Sequence, residues 1–521
     1  MISTGTLQLG NGGATGSIVG NVTDNGTLAF DRNNTLIFAG TISGMGKVTQ
    51  MGSGTTILTG TNSYAGGTLI SAGVLQIGNG GATGSIGGNV TNNSGLWFNR
   101  NNTLNFAGMI SGMGKVTQIG SGTTILGSDN TYSGGTLISG GTLQLGVGGL
   151  TGSVEGDIED NATLVIKRGD PLASAYAFDN KVTGLGKLVV DAGAIKLTNA
   201  DNSYSGGTLL NGGTTEVSSD AVMGAASGDL GLNGGTLLAN GGSAFDIART
   251  LSVAAGGGTI QTDQDLTLRG TLNGTGTLNK SGTERLTLEG DGSAFAGTTH
   301  VSDGALLVNS ALGGVVTVSD SGVLGGEGTI LGNATISGRG TLAGAAGKTL
   351  TFDSNLKVTS DSFVHVTLGV KPNAVEMFHV KGDLTLDGTL NVDTAQQSAI
   401  GIYRVFQYDG QSLGNGLSLG TVDGVAGDPD WSIQTAVANQ VNLINTAGVV
   451  FNYWNGAVTT ADGTVHGGNG TWEAGTTNWT DQNGTFSSSW TDDVLAAFEG
   501  TAGTVVVDAA GAASARQGLC S

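Results

Sequence analysis

ISTGTLQLGNGGATGSI at residues 2–18 returns as ISAGVLQIGNGGATGSI at residues 70–86 and as ISGGTLQLGVGGLTGSV at residues 138–154. The spacing is 68 residues twice, and the first two copies agree at about 51 of 68 positions. Each copy closes on one signature: Asn62-Ser63-Tyr64-Ala65-Gly66-Gly67-Thr68-Leu69, then Asn130 to Leu137, then Asn202 to Leu209. The third copy, Ile138 to Leu209, is longer at 72 residues, and Gly292 to Thr298 is a degenerate echo of the signature.

Inside each copy the apolar residues alternate. Thr6-Leu7-Gln8-Leu9, Gly26-Thr27-Leu28-Ala29-Phe30, Lys47-Val48-Thr49-Gln50 and Thr55-Thr56-Ile57-Leu58 read as half-buried strands of period two. Asn-Gly, Gly-Gly and Ser-Gly pairs between them supply turns at low steric cost. No amphipathic helix is evident in residues 1–450. Short strands on a fixed period indicate an all-β solenoid, a right-handed parallel β-helix of pectin-lyase-like architecture. A 68-residue copy divides into three coils of roughly 22–23 residues, with Thr and Asn of equivalent positions stacked in ladders. A single coil cannot offset its own ordering entropy, whereas a stack can, because each interface is shared.

Composition fits an elongated array. The 521 residues include 97 glycines and only 3 prolines, without the strict glycine period of collagen. Mean hydropathy is +0.09, too high for a disordered chain. Net charge is −20, with no Lys or Arg cluster, which excludes nucleic acid as a partner. One cysteine, Cys520, builds neither a disulfide framework nor a thiolate metal site. No apolar run is long enough for a spanning helix, and no signal peptide is visible at Met1.

The recurrent Gly134-Gly135-Thr136-Leu137-Ile138-Ser139-Gly140-Gly141-Thr142-Leu143-Gln144-Leu145-Gly146, with Gly122 to Leu126 and Asn130 to Ser133 before it, resembles the autotransporter-associated β-strand repeat. Gly304 to Val308, Gly325 to Ile330 and Gly382 to Val392 resemble later rungs of the same family. The resemblance implies type V secretion, display at the bacterial surface or release, and a partner β-barrel of the outer membrane in the parent protein. The chain ends without barrel strands, so it is expected to be a piece of a longer protein. On this reading repeats one to three occupy 1–69, 70–137 and 138–209. Degenerate rungs fill 210–348, a late-passenger region fills 349–447, and a Trp/Gly-rich segment fills 448–521.

Two places are candidates for ligand binding. Arg168-Gly169-Asp170 is an integrin-recognition tripeptide, and it replaces Arg32-Asn33-Asn34 and Arg100-Asn101-Asn102 of the earlier copies. With Pro171 following, it is expected in an exposed turn, as a cell-attachment site or as a variant polar turn. Trp454, Trp472 and Trp479 are candidates for stacking on sugars. Their plainer reading is an aromatic core or cap. Host-cell surface, matrix protein and glycan are the partner classes these features suggest.

No catalytic, cofactor or metal site is found. A glycosidase needs paired carboxylates, yet Asp31 becomes Asn99 and Lys167 in the later copies. His300, His365, His379 and His466 lack zinc-ligand spacing. No serine sits in a nucleophile elbow, and Gly44-Met45-Gly46-Lys47 is an incomplete phosphate loop. The sequence therefore points to a non-catalytic passenger acting as stalk or adhesin-like scaffold. The alternatives are a polysaccharide-acting β-helix enzyme, or a gene fragment without independent function.

Overall fold

The computed structural model describes residues 1–508 and 516–520, apart from residues 374, 395–397, 448 and 492–493. The described residues form strands joined by turns, with two short 3-10 turns, Leu172–Ser174 and Asp220–Met223, and no α-helix. They divide into two units, Met1–Thr271 and Leu272–Ser521.

The N-terminal unit is a parallel β-solenoid with three strand positions per turn. One ladder climbs from Thr6–Gly13 through Thr27–Arg32, Lys47–Gln50, Thr68–Ile70, Val90–Asn92 and Ile110–Gly112 to Thr131–Tyr132. A second climbs from Leu36–Phe38 through Thr55–Leu58, Val74–Ile77, Gly95–Phe98, Lys115–Gln118, Thr136–Ile138 and Ile158–Asp160 to Val182–Thr183. A third begins at Leu104–Phe106 and includes Thr123–Leu126, Thr142–Leu145, Thr163–Lys167, Lys187–Ala192 and Thr208–Leu210. Alternate side chains point inward. Leu28, Phe30, Val48, Ile70, Leu75, Ile77, Leu96 and Phe98 are wholly buried.

The coil differs from the expected one. Neighbouring turns are offset by 19 residues at Thr56↔Leu75 and by 24 at Ile158↔Val182. Three turns carry the register from Val48 through Thr68 and Val90 to Ile110. Val116, the counterpart of Val48 one repeat later, lies on the following strand, in the second ladder. Leu188, the next counterpart, lies in the third. A repeat thus makes three turns and one strand more, so homologous strands occupy successive faces and do not stack on one another. Each repeat lays the same outward ladder on a new face. These are Gln8–Ala29–Thr49–Leu69, then Gln76–Trp97–Thr117–Leu137, then Gln144–Val165–Val189–Leu209.

The signature shows why these residues recur. The amides of Asn62, Asn130 and Asn202 accept from the backbone N–H of Ile42, Ile110 and Val182 at 2.8, 2.9 and 2.8 Å. They donate to the carbonyls of Ser85, Ser153 and Val222 at 2.8, 2.9 and 2.8 Å. Each asparagine stitches the turn before it to the turn after it, where a corner leaves backbone groups without ladder partners. Tyr64, Tyr132 and Tyr204 fill the corner, each phenol 2.7 Å from the hydroxyl of Thr68, Thr136 or Thr208. Burial pushes all three phenols well above their ordinary pKa. A Cβ on Gly66 would meet the Gly46 carbonyl oxygen at 2.5 Å, and Gly67 has φ of +78°. Glycine is needed at both positions, for contact and for conformation respectively.

The C-terminal unit begins as the same kind of stack. Its three ladders start at Thr277–Ser281, Arg285–Leu288 and Ala311–Leu312. Buried Lys280 donates to the carbonyls of Ser281, Gly282 and Asp303 at 3.0, 2.8 and 2.9 Å. The pairing then changes from parallel to antiparallel. Gly401–Tyr408 runs antiparallel to Gln440–Asn445, which runs antiparallel to Trp431–Gln434. Phe451–Trp454 pairs with Trp479–Thr480 antiparallel and with Leu495–Phe498 in parallel.

One buried acid is a liability. Asp160 is fully buried, accepts one hydrogen bond from the Ala162 N–H at 3.0 Å, and has a second carboxyl oxygen without a partner. Desolvation raises its pKa to about 6. A carboxyl whose pKa is raised on folding destabilises the folded chain when ionised, and relief comes as pH falls through about 6 toward the unfolded value. Repeat two carries Asn92 here, with its amide donating to the Lys115 carbonyl at 3.1 Å. Asp160→Asn should therefore raise stability at pH 7 by about 1–3 kcal/mol. The gain should shrink toward zero near pH 4, as read by denaturant unfolding across that range.

Candidate functional site

Glycine-rich segments open each repeat at 10–18, 78–86 and 146–154, and each mixes exposed with partly or fully buried residues. Backbone in such loops has few ladder partners. An arginine from the turn above supplies donors. Arg32 donates to the carbonyls of Gly16, at 3.0 Å, and Ala14, at 2.5 Å. Arg100 does the same to Gly84, at 2.9 Å, and Ala82, at 2.5 Å. Arg168 reaches the Leu150 carbonyl. Its fork of N–H groups suits two carbonyls of a tight loop in a way a lysine could not. Arg249 applies the same device elsewhere. It donates to the carbonyls of Asp220, Met223, Gly224 and Gly228 and pairs with the Asp220 carboxylate at 2.8 Å.

This device accounts for the Arg168-Gly169-Asp170 turn. Arg32 Nε donates to Asn34 Oδ1 at 3.0 Å, and Arg100 Nε to Asn102 Oδ1 at 2.9 Å. Arg168 Nε donates to Asp170 Oδ2 at 2.7 Å, so Asp170 takes the place of those asparagines and adds charge. The guanidinium lies 3.9 Å from the ring centroid of Tyr176, a cation–π contact. Gly169 is exposed, but the Arg168 side chain is only 5% exposed and that of Asp170 12%. The expected exposure of this turn is therefore corrected for the two side chains. They point at each other because a loop clamp needs them inward.

The tryptophans follow the plainer of the two expectations, an aromatic core. Trp454, Trp472 and Trp479 are 1%, 7% and 0% exposed. Trp472 and Trp479 meet edge to face at 4.8 Å and 71°, and Trp454 and Trp479 at 5.2 Å and 73°. Trp490 and Phe498 pack against them. This is an aromatic core, and none of the three presents a ring face to solvent. The Nε1 groups of Trp472 and Trp479 are buried without a hydrogen-bond partner.

Carboxylates converge at one place, an open cleft of about 620 Å³ lined by Asp423, Asp428, Asp430, Trp431 and Asn445 among others. Asp423 is taken up by the Thr394 N–H at 2.7 Å and by the Thr394 hydroxyl, and Asp428 by the Asp430 N–H at 3.0 Å. The histidines sit on strands or turns, three of them beside carboxylates and His300 beside the Thr317 hydroxyl at 2.9 Å. His365 is 2.8 Å from Asp393, and His466 is 2.8 Å from Asp462. His379 lies 3.3 Å from Asp409 and 3.5 Å from Glu376. Among the described residues no group of three or more His, Cys, Asp or Glu could hold a metal ion. No helix among them is long and apolar enough to cross a membrane, which says nothing of a strand-built barrel.

Residues 48–77, 116–145, 183–217 and 278–308 match the passenger-associated-transport-repeat. The chain carries the repeats of an autotransporter passenger. The first two matches begin at Val48 and Val116, on homologous strands that lie on successive faces. The chain is also 31% identical to the protein described as Adhesin BmaC autotransporter, from Brucella suis biovar 1 (strain 1330), over 97% of its own length. It spans 18% of that relative. No solved structure matches it.

Sequence reasoning missed the clamp and the inward turn, although the invariance of Arg32, Arg100 and Arg168 across copies was a usable signal. Arg100→Ala should cost about 1–2 kcal/mol through its lost charged hydrogen bonds. It should also raise amide exchange in 78–86 by about tenfold, while strand Gly95–Phe98 keeps its protection. Unchanged exchange in the loop would remove the clamp.

Proposed function

We propose that this passenger is a rigid, non-catalytic, adhesin-like scaffold that holds binding surfaces away from the bacterial surface. The observation that carries the reading is the passenger repeat wound as parallel solenoid within each unit. Such an array gains length by adding turns, each stabilised by its neighbours, and it exposes ladders and loops at fixed places. The relative's description as an adhesin supports the same reading. Placement at the cell surface or outside the cell, and a parent protein with its own outer-membrane β-barrel, belong to this proposal.

An enzyme reading draws support only from the cleft near Trp431, where carboxylates are engaged by neighbouring N–H and hydroxyl groups. The attachment reading of Arg168-Gly169-Asp170 would require breaking a 2.7 Å ion pair and withdrawing the arginine from its loop. Glycan stacking on Trp454, Trp472 and Trp479 would require opening the aromatic core.

Display of the chain on a non-adherent bacterium should raise attachment to immobilised host cells or matrix by about tenfold, a change equivalent to about 1.4 kcal/mol. Asp170→Glu should leave that attachment unchanged, because the side chain serves the clamp. Absence of any gain in attachment would overturn the scaffold-adhesin reading, and loss on Asp170→Glu would restore the tripeptide as a contact.

A further inference from the structure

Trp97 is the one tryptophan of the N-terminal unit, and it stands on an outward ladder. Its column on the second face runs Ile37, Ile57, Gln76, Trp97, Thr117, Leu137. Five steps between parallel strands make this a straight strip of roughly 24 Å. Trp97 is half-buried, and the outward Gln76 and Thr117 beside it are 5% and 4% exposed. Their counterparts in repeat one, Gln8 and Thr49, are exposed and half-buried. Trp97 stands between these two residues in the column, and the exposed part of its indole faces solvent.

The seat for the ring is made by a second change. Repeat two carries Gly95 where repeats one and three carry Thr27 and Thr163, and Trp97 where they carry Ala29 and Val165. A Cβ built on Gly95 would already lie 3.7 Å from Trp97 Nε1 and 3.2 Å from Val74 Cγ2. Removal of a threonine beside the introduction of a large ring lets that ring lie flat. Nothing in the core requires it, since Leu96 and Phe98 fill the interior as Leu28 and Phe30 do. The column is uncharged from Ile37 to Leu137, and Glu159 follows Leu137 at its far end. Lys115, in the adjoining column, is 3.7 Å from Glu159.

We propose that the Trp97 face binds a neutral, unbranched polysaccharide, with a sugar ring stacked on the indole and the chain running along the strip. A flat aromatic on rigid β-sheet offers stacking area at low entropic cost, and its N–H offers a donor at the ring edge. A straight column suits a linear polymer. An uncharged strip on a chain of net charge −20 disfavours an anionic one. The proposal rests on the adhesin-like reading and names its ligand class.

The test uses the purified chain with cellohexaose, followed by calorimetry and by tryptophan fluorescence. Trp97→Ala places the residue of repeat one in the same strand, so the fold should hold, as far-UV circular dichroism will report. It should weaken binding by at least about tenfold, whereas Trp97→Phe should stay within about threefold. Gly95→Thr keeps the tryptophan but removes its seat, and should weaken binding by about tenfold as well. Equal affinity in Trp97→Ala, failure of the wild-type chain to bind cellohexaose and other neutral linear glycans, or preference for heparin would each overturn the proposal. So would a wild-type dimer abolished by Trp97→Ala, which would assign the face to a second copy. Display assays separate the two readings. Attachment that survives Trp97→Ala keeps the adhesin reading and ends this one. Trp97-dependent glycan binding without attachment does the reverse.

Discussion

Hydrogen bonding between parallel strands of successive turns is the constraint from which the rest follows. It fixes the separation of turns at the spacing of neighbouring strands, and so brings corners into contact with corners. Wherever the chain bends, backbone groups lose their ladder partners and must find others. The asparagine of each signature answers this by bonding one turn back and one turn forward. The tyrosine–threonine pair fills and closes the same corner. Arginine and lysine serve the larger corners, where several carbonyls face one way and a cation satisfies them together.

This economy of corners explains why residues that look chemical are turned inward. An arginine between glycine and aspartate resembles a recognition tripeptide in a linear sequence. In the solenoid its first duty is to the loop beneath it, and the aspartate is its anchor. The tryptophans near the C-terminal end occupy a region where parallel stacking gives way to antiparallel pairing. Large rings there close an interior that short aliphatic residues fill elsewhere.

The fold was largely legible. Period-two alternation, glycine turns and tandem copies identify a parallel solenoid without help from structure, and the signature marks where each corner must lie. The turn length was not legible, because a repeat in sequence need not be a whole number of turns in space. Dividing 68 residues by three gives coils slightly too long, and it stacks Val48 on Val116 when the two lie on different faces. Site residues were the least legible. Whether Arg168 faces water depends on carbonyls supplied from 18 residues earlier, and whether Trp472 does depends on Trp479 and Trp490. The clearest surface feature, Trp97, was overlooked because its meaning lies in Gln76 and Thr117, which are its neighbours only after folding.

Ten strand positions per repeat on a three-sided stack leave a remainder of one. Within the N-terminal unit, a duplication of this length therefore lengthens the rod and also advances its phase by a third of a revolution. Copies that begin identical point in different directions from birth, and each can drift toward its own contacts without altering the others. Gene duplication here acts as gearing as well as growth. A lineage that gains or loses one copy re-aims whatever the later turns display, with no change in any residue that does the displaying.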